Sequence, residues 1–286
     1  MNKILRKIVP GFLREPLKKI YYFSSDLVES IKGRDALTPP RSMNFVGGGN
    51  FGEIGQEFKN YFIELAGLQP GDRVLDVGCG IGRMAVPLTT YLEANGEYWG
   101  FDIVKKGIEW CEKNISTKYD NFHFQHVDIY NKSYNPSGIH QAEEFKFPFA
   151  DGFFDFVFLT SVFTHMLPAG LENYLREISR VLRPEGRCAI TFFILDEEAI
   201  GLINSGRSTL DFRHKVSEGC LTTNPSAPED AVAYDAMYLN DLYEGCGLKI
   251  RQPIYKGLIF PRFFVFQAVD FMLPVFSDFG LQASPA

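Results

Sequence analysis

The sequence lacks the devices that staple a small protein or tie it to a metal. Its five cysteines (Cys79, Cys111, Cys188, Cys220 and Cys246) form no CxxC pair and stand at no zinc spacing from a histidine. A disulfide framework and a structural zinc are therefore excluded, and the thiols are expected free in a reducing, cytoplasmic compartment. His123 and His126 fall three apart on a predicted strand, so they point to opposite faces and share no metal; no metal site is expected. Positive charge is also short: 29 Lys and Arg stand against 35 Asp and Glu, a net charge of −6, which disfavours a nucleic-acid partner. Long apolar runs are missing. The most apolar stretch, 258–276, is interrupted by Arg262, Asp270 and two prolines, and the apolar residues 8–13 near the start are broken by Pro10-Gly11. Neither a membrane span nor a secretory signal fits. Tryptophan is scarce, at 2, whereas phenylalanine reaches 27, and that excess has to serve a core, an acceptor pocket or a membrane contact.

Residues 1–41 read as a basic helical leader and linker, ending at Thr38-Pro39-Pro40, which stops a helix and starts an extended segment. The leader's Lys3, Arg6, Lys7, Arg14, Lys18 and Lys19, with Ile4, Leu5, Ile8, Phe12 and Leu13, suit either peripheral contact with an anionic membrane or packing over an active-site mouth. The main domain, 42–286, opens on an amphipathic helix over 52–67 (Ile54, Phe58, Phe62, Leu65). Short apolar runs at 73–77, 98–101, 122–127, 154–159 and 187–194 then alternate with predicted helices at 82–94, 105–116 and 170–182. That alternation predicts an α/β fold: a Rossmann-like, seven-stranded, mostly parallel sheet with helices on both faces. After the fifth strand, 195–233 carries no strong period and contains Pro225 and Pro228, as expected of an inserted cap over the acceptor site. A helix at 234–245 and β-rich runs at 248–255 and 263–271 complete the domain, the last two predicted to form an antiparallel hairpin at the sheet edge.

The chemistry concentrates in Val74-Leu75-Asp76-Val77-Gly78-Cys79-Gly80-Ile81-Gly82-Arg83. A strand runs into a loop with glycine at alternate positions and then into a helix, so backbone can approach a ligand where a Cβ would block it. Such a site lies in the crevice at the carboxyl ends of the strands. A dinucleotide fingerprint needs glycine where Arg83 stands, so nicotinamide binding is disfavoured. The glycine-rich segment 44–52 follows no strand; it reads as an aromatic flap or as a flexible linker.

Asp76-Val77-Gly78-Cys79-Gly80-Ile81-Gly82 resembles the first motif of the class I S-adenosylmethionine-dependent methyltransferases. Phe101-Asp102 resembles the acidic end of their second strand and His126-Val127-Asp128-Ile129 their third-strand motif. Val181-Leu182-Arg183-Pro184-Glu185-Gly186 resembles the turn into strand five, with Glu185 in place of a glycine. The resemblance implies S-adenosyl-L-methionine as cofactor, held by Asp76, Gly78, Gly80, Gly82 and Thr160, with Asp102 on the ribose hydroxyls, Asp128 near the adenine amino group, and Ile103 and Ile129 on the ring faces. A carboxylate suits the ribose because its two acceptor oxygens can take both hydroxyls. Taken singly, Asp102 and Asp128 also suit the N-cap of a following helix.

Acceptor chemistry is expected just after strand four, in Thr160-Ser161-Val162-Phe163-Thr164-His165-Met166. In-line methyl transfer to a hydroxyl needs alignment and proton removal, and His165 is the imidazole placed to act as base. Its alternative is to pack a helix start. Asp196, after strand five, is a second catalytic candidate. The resembled subclasses that act on nucleic-acid amino groups, on arginine or with magnesium carry motifs absent here. The resemblance therefore implies metal-independent O-methylation of a bulky or hydrophobic small molecule, such as a natural product, sugar or lipid. The other readings are an N- or C-methyltransferase with the same cofactor site, and a cofactor-binding scaffold without turnover. Phe45 and Phe51, Phe145, Phe147 and Phe149, and Phe163 are expected at the acceptor mouth, and the strand phenylalanines in the core.

Overall fold

The structure, a computed structural model, describes residues 22–28, 30–31, 33–47, 49–251, 255–256 and 265–271. The start of the leader and most of the phenylalanine-rich 260–276 cluster lie outside the described residues. After a helical stretch at 22–28 and a 3-10 turn at Arg41–Met43, the chain forms helix α1 (Phe51–Glu64) and strand β1 (Arg73–Val77). There follow α2 (Ala85–Leu88), β2 (Glu97–Asp102), α3 (Lys105–Cys111) running into a π-helical turn Glu112–Ser116, β3 (Phe122–His126), β4 (Phe154–Leu159), α4 (Pro168–Val181) and β5 (Leu182–Leu195). The last third contains α5 (Glu197–Asn204), β6 (His214–Ser217), β7 (Cys220–Thr222), β8 (Val232–Asp235), α6 (Ala236–Gly245), β9 (Leu248–Ile250), β10 (Tyr255–Lys256) and β11 (Val265–Phe271).

Strands β3-β2-β1-β4-β5 pair in parallel in that order. Antiparallel β11 lies between β5 and β9 and also pairs β10. These strands, with β10 extending them, make the expected parallel sheet with an antiparallel C-terminal edge. Both faces of its centre are buried, as parallel strands require. In β4, Val157 and Leu159 enter one core with Leu171, Leu175 and Ile178 of α4, while Phe156 and Phe158 enter the other. There the Phe62 ring of α1 sits 4.4 Å from Phe158 and 5.8 Å from Phe156. Each such ring withdrawn from water contributes roughly 1.5–3 kcal/mol, so this alternation fixes the register of the strand beneath the site.

Three local differences from the sequence reading have physical causes. The helix expected over 82–94 shrinks to α2, because Pro87 has no N–H to donate and the Thr89 and Thr90 hydroxyls bond back to the carbonyls of Val86 and Pro87. Segment 195–233 contains α5 and three strands, with β8 parallel to the end of β5 and β7 and β6 antiparallel beyond it. Strands of three or four residues are too short to show a period. Strand β5 begins at Leu182 and includes a register shift opposite Phe154 and Phe156. Within that irregularity Glu185 adopts φ 65°, a left-handed conformation that suits glycine. Replacing Glu185 with glycine is expected to stabilise the protein by about 0.5–1 kcal/mol, read as a rise in the urea midpoint at unchanged m-value.

Candidate active site

A cavity of about 650 Å³ opens at the carboxyl ends of β1, β2 and β4, within the range that holds a cofactor or small ligand. Its floor is the loop after β1. The Gly78 and Cys79 N–H groups both donate to the Phe101 carbonyl, at 2.9 and 3.1 Å, which turns the chain out of the sheet. Gly78, Gly80 and Gly82 have φ of 81°, 60° and 76°. A Cβ on Gly78 would stand 2.5 Å from Val162 Cγ2, and one on Gly80 2.3 Å from Val46 Cγ1. Gly82 has a different role: its missing Cβ leaves room for Ile115 and Cys111, and it does not line the cavity.

Asp102 ends β2 at the cavity wall, 8% exposed. Its Oδ2 accepts from the Gly80 N–H and its Oδ1 from the Val104 N–H, both at 2.7 Å. The N-cap of α3 is Val104, so Asp102 does not cap that helix; it ties the glycine loop to the end of β2. Burial pushes its carboxyl above the usual range, against the hydrogen bonds from Val104 and Gly80. Each oxygen retains a lone pair for a further donor. Ile103 and Ile129 line the same wall. Asp128 does not: its Oδ1 accepts from Asn135 Nδ2 at 2.9 Å and its carbonyl from the N–H groups of Ile139 and His140, which braces the loop carrying Tyr130, Asn131 and Tyr134.

Asp76 also lies behind the wall, wholly buried, accepting from the Tyr98 hydroxyl at 2.6 Å through Oδ2. Its Oδ1 has no hydrogen-bond partner among the described residues. Burial first, and the nearby Asp102 carboxylate, push its carboxyl up to about 8 despite the Tyr98 bond. In the unfolded chain the group titrates near 3.8. Between those values the unfolded state has released a proton that the folded state retains, so stability falls as pH rises through this window. Urea unfolding from about pH 5 to pH 8 is expected to show a falling midpoint that Asp76→Asn flattens, by up to about 1.4 kcal/mol per pH unit.

The glycine-rich segment before α1 closes the cavity from above. Phe45, Val46, Gly47 and Gly49 line it. Arg83, 7% exposed, donates through Nη2 to the Gly47 carbonyl at 3.1 Å and to Asn44 Oδ1 at 3.4 Å. Its guanidinium also lies 5.6 Å from the Phe51 ring centre. This segment is thus a strap fastened to the first motif, and the linker reading gives way.

On the acceptor side, Thr160, Ser161, Val162 and His165 line the cavity. Ser161 holds φ 61° and its N–H donates to Thr191 Oγ1 at 2.8 Å, a strained residue held by the adjoining strand. His165 Nδ1 lies 2.9 Å from the Glu229 carbonyl oxygen. A carbonyl only accepts, so Nδ1 carries the proton and Nε2 has the free lone pair. The Tyr134 ring stands edge-on, 6.3 Å away. Glu229, from the segment between β7 and β8, and Tyr134 are site residues that carry no motif in the sequence.

Two expectations fail here. Asp196 is not brought to the cavity; it is the N-cap of α5, where its carboxylate accepts from the Ala199 N–H at 2.8 Å. Phe145, Phe147, Phe149 and Phe163 do not line the mouth either. Phe163 is fully buried against Phe192, at 5.3 Å, and Phe147 against Phe101 and Tyr174, with Phe145 and Phe149 packed on the same core. The apolar wall comes instead from Phe58, Met166, Leu167 and Tyr174. Among the described residues there is no group of three or more side chains able to hold a metal, and no helix long and apolar enough to cross a membrane.

Comparison with known proteins agrees with this geometry. Residues 75–190 match the family model described as a methyltransferase domain. The chain is 33% identical over 141 residues to 27-O-demethylrifamycin SV methyltransferase of Amycolatopsis mediterranei, covering 48% of this chain and 46% of that protein. It is 30% identical over 142 residues to the ubiquinone/menaquinone biosynthesis C-methyltransferase UbiE of Ectopseudomonas mendocina, covering 50% of each. The chain spans about half the length of the curated relatives it matches. The crystal structure of the PH0226 protein from Pyrococcus horikoshii shares the fold, with a TM-score of 0.56 at 16% identity over 81% of this chain and 95% of that one.

Proposed function

We propose that this chain, whose residues 75–190 match a methyltransferase domain, is a class I S-adenosylmethionine-dependent methyltransferase that methylates a hydroxyl group of a small, largely apolar acceptor, with His165 as the base. The observation that carries this reading is the His165 ring, whose Nδ1 is committed to the Glu229 carbonyl so that Nε2 is left as an acceptor.

The residues fit the cofactor. The missing Cβ atoms of Gly78 and Gly80 keep the floor open, and Asp102 offers a buried carboxylate at the strand end for two ribose hydroxyls. Ile103 and Ile129 supply apolar contact for the purine, and Thr160 lines the wall beyond β4. Asp76 and Asp128 act from behind, the first under the glycine loop and the second bracing the loop after β3. When bound, S-adenosylmethionine supplies an electrophilic methyl group on a sulfonium sulfur. The apolar wall of Met166, Leu167 and Tyr174 excludes water and orients the acceptor. Nε2 of His165 takes the hydroxyl proton as oxygen becomes the nucleophile. The Glu229 carbonyl stabilises the imidazolium that results, because Nδ1–H remains its donor.

The rifamycin relative, named for a methylated oxygen, favours this reading; the UbiE relative, named for carbon methylation, supports the alternative. A transfer assay with methyl-labelled S-adenosylmethionine over apolar hydroxylated and quinol acceptors, with the product methyl located by NMR, decides between them. Label on oxygen is expected. Label found on carbon or nitrogen alone would reject the hydroxyl reading.

A further inference from the structure

Beyond the methyltransferase site, we propose that the helical residues 22–28 and 30–31 and an adjoining cationic recess form a binding site for anionic phospholipid at a bilayer surface. The helical residues 22–28 and 30–31 present Phe23, Leu27 and Ile31 at successive spacings of four, 73%, 55% and 79% exposed, with Val28 beside them at 49%. A stripe of this width on a surface helix is ordinarily buried, and nothing among the described residues covers it. Residues 1–20, directly upstream, carry six Lys and Arg against one Glu in a chain of net charge −6. That contrast matches the basic end of the sequence to a negatively charged surface.

The recess supplies the headgroup chemistry. It has a volume of about 500 Å³ and is lined by Ser30, Arg34, Lys106 and Lys113, with Asp35 and Glu109. Ser30 adjoins Ile31, so the recess borders the apolar stripe. Among the described residues Arg34 Nη1 is buried without a hydrogen-bond partner, and its ion pair with Asp26 is 3.7 Å long, beyond hydrogen-bond reach. The Asp35 carboxylate is turned onto the Leu37 N–H at 2.7 Å. A lipid phosphate would give Arg34, Lys106 and Lys113 an acceptor while the acyl chains meet the stripe. Two contacts join this face to the active site. Asp26 accepts from the Arg41 and Ser42 N–H groups at 2.5 and 3.0 Å, which clamps the leader to the start of the strap. Lys106 Nζ lies 5.5 Å from the ring centre of Phe45, which lines the large cavity. A chain docked by this face holds its strap next to the membrane, where an apolar acceptor is concentrated.

The test is co-sedimentation of the full chain with vesicles of phosphatidylcholine alone and of phosphatidylcholine with phosphatidylglycerol. Wild type is expected to pellet only with the anionic vesicles. The triple variant Phe23→Ser, Leu27→Ser, Ile31→Ser should partition about 100-fold less, and Lys113→Glu about 10-fold less, both with an unchanged thermal midpoint. Inorganic phosphate added at constant ionic strength should leave partitioning unaltered. Equal pelleting of the triple variant and wild type, absence of wild-type binding, or displacement by inorganic phosphate would each overturn the proposal. Transfer activity on a water-soluble acceptor is read separately, so failure here does not bear on the reaction.

Discussion

Changing His165 to alanine is expected to lower kcat for a hydroxyl acceptor by about 100-fold or more, within the range general-base catalysis supplies, while the Kd for S-adenosylmethionine stays within about twofold. The side chain lines the cavity, and among the described residues its polar bond is to the Glu229 carbonyl. Losing that bond costs about 1 kcal/mol of stability, too little to unfold a domain of this size. Two further readouts separate a base from a packing residue. Added imidazole should restore part of the rate in the alanine variant, because the vacated volume opens onto the cavity. His165→Asn, whose amide nitrogen takes the place of Nδ1 and can still donate to the Glu229 carbonyl, should retain the stability of wild type without its rate. Full activity of either variant would remove His165 from the mechanism.

Replacing Asp102 with alanine should weaken S-adenosylmethionine binding by about 100-fold, the equivalent of one to two hydrogen bonds to a charged group. The loss should appear in Kd and in KM for the cofactor, with kcat at saturation changed much less. The structure adds a second consequence. The Gly80 and Val104 N–H groups lose their acceptor, and a buried donor left unpaired costs about 1–3 kcal/mol. The variant is therefore expected to unfold at lower urea, and affinity must be measured where it is fully folded. Asp102→Asn keeps the volume and one acceptor oxygen but sets an amide N–H against a backbone N–H, so it should fall between wild type and alanine in both measurements. Equal affinity for the cofactor in all three proteins would show that the carboxylate serves the loop alone.

The parts of this molecule legible from sequence are those in which one residue type has one physical use. Strands β1 and β4 are recoverable to the residue, because Arg73 to Val77 and Phe154 to Leu159 are short, mostly apolar runs bounded by turns. Gly78 and Gly80 are recoverable because left-handed φ at a close approach admits little else. Phenylalanine is different: Phe145, Phe147, Phe149 and Phe163 are expected at the acceptor mouth from their place in the sequence, and packing against Phe101, Tyr174 and Phe192 puts them in the core. Asp196 after β5 resembles a catalytic carboxylate as closely as a helix cap, and the geometry of α5 makes it a cap. Glu229 was illegible for another reason. It acts through its backbone carbonyl, which any residue would supply, and it reaches His165 only because β7 and β8 fold back. Arg83 stood in view beside the first motif, but its hold on Asn44 and Gly47 spans nearly forty positions and leaves no periodic trace.

The central claim is that the cavity above Gly78, Gly80 and Asp102 is a site for S-adenosylmethionine and not for a dinucleotide. Isothermal titration of the purified chain with S-adenosylmethionine and, separately, with NAD tests it most directly. Saturable binding of S-adenosylmethionine to one site per chain with no heat from NAD is the predicted result; binding of NAD, or no binding of S-adenosylmethionine by folded protein, would contradict it.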